Sequence, residues 1–159
     1  MAALGDLDLE ALDFGAVAPQ EFARIVKGLP GRRIAELMAG PQRRRVLDEV
    51  FGRMHTLFKP EAAGDRDALI RWRITVSGLE PGADDDVYET HIAAGTCTVT
   101  PERTDRTPQL SLTMAAPEFL RLVSGNASGP TLFFTRKLKV NGDIRLAGGL
   151  TYFFDIPKP

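Results

Sequence analysis

The chain has 159 residues, 43% of them apolar and 26% charged, with a formal net charge of −1. That length suits one domain with a sizeable core, and the near-zero charge excludes a global field for nucleic acid or an anionic membrane, leaving room only for a local patch. A single cysteine, Cys97, excludes an intramolecular disulfide and a cysteine-rich zinc site.

The opening MAALGDLDLEALDFGAVAPQ is acidic and lacks the basic start and unbroken apolar run of a signal peptide. No apolar run reaches the roughly eighteen residues of a membrane span, so a cytoplasmic setting is expected. Residues 1 to 18 read as a loosely ordered arm with a helical turn around Leu7 to Leu12. Pro19 near a helix start, then Phe22, Ile25 and Val26 on one side and Gly28 as a stop, predict a first helix. RRIAELMAG repeats that logic, with Ile34, Leu37 and Met38 apolar and Gly40 at the end. A long helix is expected from Pro41 to about Phe58, where Val46, Leu47, Val50, Phe51, Met54, Leu57 and Phe58 recur at three- and four-residue steps. Pro60 prevents its continuation.

Beyond PEAAGDRD the period falls to two. In LIRWRITVSG, Ile70, Trp72, Ile74 and Val76 face one way and Arg71, Arg73, Thr75 and Ser77 the other, as in a strand with one wet face. EPGADDD reads as a solvated turn, Val87 to Ala93 as the returning strand, Gly95 as a turn and Thr96 to Thr100 as a third strand. A loop from Pro101 to Pro108 leads to QLSLTMA, whose Leu110, Leu112 and Met114 alternate inward. APEFLRLVSG predicts a short helix ended by Gly125. A fifth strand over 137 to 141 follows, and Asp143 is placed to cap a last helix bearing Ile144, Leu146, Ala147 and Leu150. The fold class is α+β: a sheet with helices packed on it.

Motifs of catalysis are missing. His55 sits on the long helix and His91 on the second strand, with no HExxH and no metal-binding pair. GxSxG, GxxxxGK[ST] and GxGxxG do not occur. Cys97 alternates with Val99 like a small buried hydrophobe. Asp84, Asp85 and Asp86 lack the spaced ligands and closing glutamate of a calcium loop. No metal and no cofactor are expected.

The stretch TLFFTRKLKVNGDIRLAGGL admits two readings. In a strand, Lys137 and Lys139 share one face while Leu138 and Val140 share the other. The lysines then guard an edge strand against sheet-to-sheet association, or with Arg136 they mark a pocket mouth for an acidic or phosphate head group. Phe133 and Phe134 cannot point the same way, which sends one to the core and one towards a cavity.

LTMAAPEFLRLVSGNASGPTLFFTRKLKVNGDIRLA resembles the signature of the sterol carrier protein 2 family of lipid-binding domains. That signature runs from a strand and a helix ending in Ser/Thr-Gly through an aromatic turn to Gly-Lys-Leu-Lys, Gly-Asp or Gly-Asn, and a Leu-Ala helix. IRWRITVSG and YETHIAAGTCTVTP also fit, so the likeness covers about residues 43 to 157. It implies a five-stranded mixed sheet covered on one face by helices around an apolar tunnel, here with an N-terminal helical extension. Residues 1–40 are then an acidic arm with short helices, and 41–159 the lipid-binding domain. The implied function is non-catalytic binding or transfer of a sterol, fatty acid or fatty acyl-CoA. Three departures stand out: Arg136 where the family usually has glycine, Gly148 and Gly149 inside the last helix, and an end, DIPKP, without a peroxisomal address.

Pocket candidates are Trp72, Ile74, Leu112, Met114, Phe119, Phe133, Phe134, Leu138, Leu150 and Phe153, with Arg136, Lys137 and Lys139 towards the head group. Each apolar candidate reads equally as plain core. The expected partner is a small hydrophobic ligand, with no nucleic acid and at most transient membrane contact; the oligomeric state is not readable. Two alternatives differ in class. One is an accessory module with a closed tunnel that works with a partner enzyme. The other is an enzyme that recruits His91 or Cys97 against a hydrophobic substrate.

Overall fold

The computed structural model describes residues 17–157 apart from 77, 81, 83 and 84, so the acidic arm expected over the first sixteen residues lies outside the described residues. Five helices come first: α1 (Pro19–Gly28), α2 (Gly31–Ala39), α3 (Arg43–Gly52), α4 (Met54–Leu57) and α5 (Pro60–Ala63). Strands β1 (Ala68–Thr75), β2 (Asp86–Ala93), β3 (Thr96–Thr100) and β4 (Leu110–Ala115) follow. The chain closes with α6 (Ala116–Val123), α7 (Gly129–Phe134), β5 (Leu138–Gly142), α8 (Ile144–Gly149) and a 3-10 turn over Leu150–Phe153.

The strands form one mixed sheet in the order β3-β2-β1-β4-β5. Only β1 and β4 run parallel, which requires the chain between them to cross over; every other pair is antiparallel. Register settles which face each residue takes, because directly opposed residues point the same way. Trp72 opposes Tyr88 and Leu112, and Leu112 opposes Val140, so these line the helix-covered face. Arg71, Glu89, Ser111 and Asn141 take the other face by the same pairings. β5 is an edge strand, and Lys139, opposite Thr113, lies on the polar face.

Period-two alternation held for the strands because one face meets the helices and is apolar; the face expected to be wet is polar but partly covered, with Thr75, Glu89 and Thr113 buried on it. Helices differed more. The single helix expected from Pro41 to Phe58 breaks at Arg53, directly after Gly52, a weak helix former. The Arg53 guanidinium reaches back to donate to the Val17 carbonyl. Phe58 leaves the helix and bridges Phe154, while Pro60 starts α5 rather than only ending a helix. Val76 falls beyond β1 and is exposed. The TLFF segment forms α7, and neither Phe133 nor Phe134 enters the core, since α7 buries Leu132 instead.

The acidic turn is not solvated as expected. Asp85 pairs with Arg73 at 3.0 Å, and Asp86 receives Arg43 at 2.9 Å and Arg44 at 3.1 Å. Arg44 also pairs with Asp48 at 3.2 Å, and the Tyr88 hydroxyl donates to Asp48 at 2.6 Å, so α3 is clamped to β2. Burial first and then Asp48 raise the Tyr88 pKa, keeping the phenol protonated. α1 and α2 join the one hydrophobic core through Phe22, Ile25, Val26, Ile34 and Met38, with α2 seated on α6.

The loop over 101–108 is held against the polar face of the sheet. Arg71 donates to the Thr104 and Arg106 carbonyls and to Glu89 at 2.7 Å, and Glu89 accepts the Thr104 backbone N–H at 3.2 Å. Desolvation alone would raise the Glu89 pKa, but the Thr104 and Arg71 hydrogen bonds outweigh it and hold the carboxyl below its ordinary 4.5. A depressed folded value means that Glu89 stabilises the protein above the ordinary carboxylate range, and that this is lost as pH falls towards the folded value. Glu89→Gln is therefore expected to destabilise at neutral pH and to flatten the acid limb of a stability–pH profile measured by urea unfolding.

Gly142 ends β5 at φ +105°, and a Cβ there would overlap the Gln109 carbonyl oxygen, which also accepts the Asp143 N–H at 2.8 Å. Gly142→Ala is expected to cost about 2–3 kcal/mol by adding backbone strain to a steric clash, read as a fall in the midpoint of chemical denaturation.

Candidate functional site

Between helices and sheet lies a cavity of about 700 Å³. Trp72 of β1, Leu112 of β4 and Leu138 and Val140 of β5 form its floor. One wall is a stripe of α3 and α4 that includes Val50, Arg53, Met54 and Leu57, joined by Pro19 and Phe22 of α1. The opposite wall is Leu122 and Val123 of α6, Gly129, Pro130, Phe133 and Phe134 of α7, and Ile144, Ala147 and Gly148 of α8. Leu150, Thr151, Phe154, Ile156 and Pro157 complete it from the C-terminal segment. Side-chain polarity on the lining is confined to Glu49, Arg53, Thr56 and Thr151.

Helix lengths and one aromatic cluster explain why a space remains. Phe51 of α3 stacks on Tyr88 at 4.0 Å between ring centroids and on Phe119 at 5.0 Å. Trp72 meets Phe51 edge-on at 5.9 Å and Phe119 at 5.8 Å. Its indole N–H donates to the Thr90 hydroxyl at 3.0 Å, and that hydroxyl donates to the Met54 sulfur at 3.3 Å. Around this cluster the layers are thus joined, with Trp72 at its border with the cavity. Over β4 and β5 they are spanned by α7 and α8, of six residues each, too short to bring a full apolar stripe down onto the strands.

The structure brings Trp72, Leu112, Phe133, Phe134, Leu138 and Leu150 together on the lining. It places Ile74, Met114 and Phe119 wholly within the packed core and Phe153 beneath the Arg66 guanidinium, all away from the cavity wall. Arg136 and Lys139 do not line the cavity, and Lys137 sits beside Glu118, Arg121 and Thr135 on the far side of α7. Sequence reasoning missed Val140, Val50 and Leu57, which share faces with Leu138 and with the α3 stripe; strict periodicity would have found them. Phe22, Phe154 and Ile156 had no local signal, since long-range packing alone brings them to the lining.

Chemistry has little to work with at this site. Among the described residues no three His, Cys, Asp or Glu side chains are grouped to hold a metal ion. Burial pushes the Cys97 thiol up to about 11, so it carries almost no thiolate at neutral pH. His91 lies on the polar face, against Asp67 at 2.8 Å.

The SCP-2 sterol transfer family matches residues 64–155, more than half of the chain. The chain is a member of that family. No curated protein matches it in sequence. Among solved structures, sterol carrier protein 2 like 2 from Aedes aegypti shares 12% identity over 70% of this chain and 96% of that one, at a TM-score of 0.51. A palmitated form of the same mosquito protein matches at 0.51 over 72% of this chain and 95% of that one, again at 12% identity. A stereoselective inverting sec-alkylsulfatase from Pseudomonas sp. gives 0.56 at 14% identity over 71% of this chain. The chain spans only 16% of that sulfatase. These likenesses are of fold: a five-stranded mixed sheet with helices, as the sequence led us to expect.

The Trp72 anchor is testable. Thr90→Val removes its acceptor and is expected to cost about 1–3 kcal/mol through an unsatisfied buried indole N–H, measured by thermal unfolding, with a shift in Trp72 fluorescence.

Proposed function

We propose that this SCP-2 family member binds one long-chain amphiphile non-covalently in the cavity beneath α7 and α8, and carries it without chemical change. The apolar cavity of about 700 Å³ is the observation that carries the reading. It falls within the range of about 300–1,000 Å³ occupied by small-molecule sites. The reading also accords with the family, with a palmitated structural neighbour, and with the lack of a nucleophile–base pair along the lining.

Energetics fit exchange rather than permanent retention. A buried methylene contributes about 0.8 kcal/mol, so a sixteen-carbon tail offers on the order of 12 kcal/mol gross, and association costs of about 4–15 kcal/mol offset much of it. The ligand class is a fatty acid, a fatty acyl thioester or a sterol. Glu49, Arg53 and Thr56 follow one stripe of α3 and α4 along the lining, which favours a tail with a polar head over a plain hydrocarbon. Gly148 and Gly149 put two weak helix formers in α8, which lowers the intrinsic stability of the helix over the cavity and suits it to yield when a ligand passes. The open interior favours carriage over the alternative of an accessory module with a closed tunnel.

Delipidated protein is expected to take up a fluorescent fatty acid saturably at one site. Val140→Trp places an indole across the floor and is expected to lower that affinity by at least about tenfold, equivalent to roughly 1.4 kcal/mol, while circular dichroism stays native. No saturable uptake by the unaltered protein, for fatty acid or sterol, would remove the proposal.

A further inference from the structure

Two helices end in the same backbone motif with different residues. α6 ends with Gly125 at φ +77°, whose N–H donates to the Leu122 carbonyl while the Asn126 N–H donates to that of Arg121. α7 ends with Arg136 at φ +62°, whose N–H donates to Phe133 while the Lys137 N–H donates to Leu132 at 2.8 Å. This is the Schellman closure, and its left-handed position favours glycine because a Cβ crowds the backbone there. Arg136 accepts that strain and gains no internal contact for it: its side chain is exposed and forms no hydrogen bond or ion pair among the described residues. A strained residue without an internal partner points outward for its reason.

The neighbours of Arg136 are unusual as well. Among the described residues five large apolar side chains are exposed, and four fall in this region: Phe133 at 47%, Phe134 at 80%, Ile144 at 71% and Tyr152 at 72%. The first three also line the cavity, so they form its rim. Next to these rim residues in sequence stand two exposed cations, Arg136 and Arg145, while Lys137 lies on the far side of α7 and Lys139 on the polar face of the sheet; the one acid from Gly129 to Phe153 is Asp143, and the whole protein carries −1. Asp143 already accepts the Leu146 N–H as the cap of α8. None of the four cations is ion-paired among the described residues.

We infer that the rim formed by α7 and α8 is a docking face for an anionic phospholipid bilayer. Phe133, Phe134 and Ile144 enter the interface, and Arg136 and Arg145 pair with lipid phosphates and carboxylates. Aromatic and branched side chains beside unpaired cations match the chemistry of a bilayer surface, apolar below and negative above. Docking there would set the cavity mouth against the acyl region, so cargo need not cross water. The inference extends the lipid-carrier reading, yet docking is measured with no cargo bound, so the two fail separately.

The test is flotation of the delipidated full chain with phosphatidylcholine vesicles, with and without phosphatidylserine. Wild type is expected to float with the anionic vesicles, to release as salt shortens the Debye length below about 10 Å, and to ignore pure phosphatidylcholine. The Arg136→Gly/Arg145→Gln double variant is expected to lose roughly fivefold in vesicle affinity per cation removed. Its fatty-acid uptake should be unchanged and its melting temperature no lower, because glycine relieves the left-handed strain. Phe134→Ser/Ile144→Ser should lose docking even at low salt. The inference fails if wild type ignores anionic vesicles, the result a protein-docking face would give. It also fails if wild type binds neutral vesicles equally, or if the arginine variant docks unchanged. Docking that persists without ligand uptake would sink only the carrier reading.

Discussion

The structure depends on how far the helical layer reaches across the sheet. Phe51 is held between Tyr88 and Phe119, with Trp72 set edge-on against the group, and this contact joins the layers up to the edge of the cavity at Trp72. Aromatic rings supply large buried area and directional packing together, so one such cluster can carry the union of helix and sheet. Past it, towards β5, helices of six residues cannot restore the contact. What elsewhere would be a packing fault becomes the cavity.

Polar contacts enforce this division. Arg43 and Arg44 bind Asp86, and Tyr88 binds Asp48, which holds α3 in register over β2. Glu89, Arg71 and Thr104 fasten the loop over 101–108 to the opposite face. Among the described residues no comparable side-chain tie holds α8 from above; its Asp143 cap steadies only the first turn. Side-chain ties between helices and sheet are thus denser at β2 than at α8.

The carrier reading proposed above draws on the same asymmetry. Catalysis needs an activated group held rigidly against a reacting atom, and the lining offers chiefly hydrocarbon surface. Carriage needs a dry volume, a yielding wall and a rim that tolerates water and lipid alike. The exposed aromatics of α7, an unfavourable feature in a simple folded domain, become intelligible at such a rim. Arg136 belongs to the same account: it keeps a cation beside Phe134 where backbone geometry alone would choose glycine.

Much of this was legible in the order of residues. Alternation assigned the five strands and their buried faces, because a strand buries one side at a period that no other element shares. Asp143 announced α8, and Gly125 the end of α6, because capping is local chemistry. Residue patterns did not separate lining from filled core. Trp72 and Ile74 share a strand face, as do Leu112 and Met114, yet the first of each pair meets the cavity and the second is packed solid. Nor did they show Arg53 breaking the long helix, Asp85 and Asp86 captured by distant arginines, or Phe133 and Phe134 both turned out of the core. Those outcomes turn on which surfaces meet across sequence separations that no local period encodes. The sequence by itself determined which side chains are apolar and which way each strand faces; only the tertiary structure decided where apolar faces touch and where they leave room.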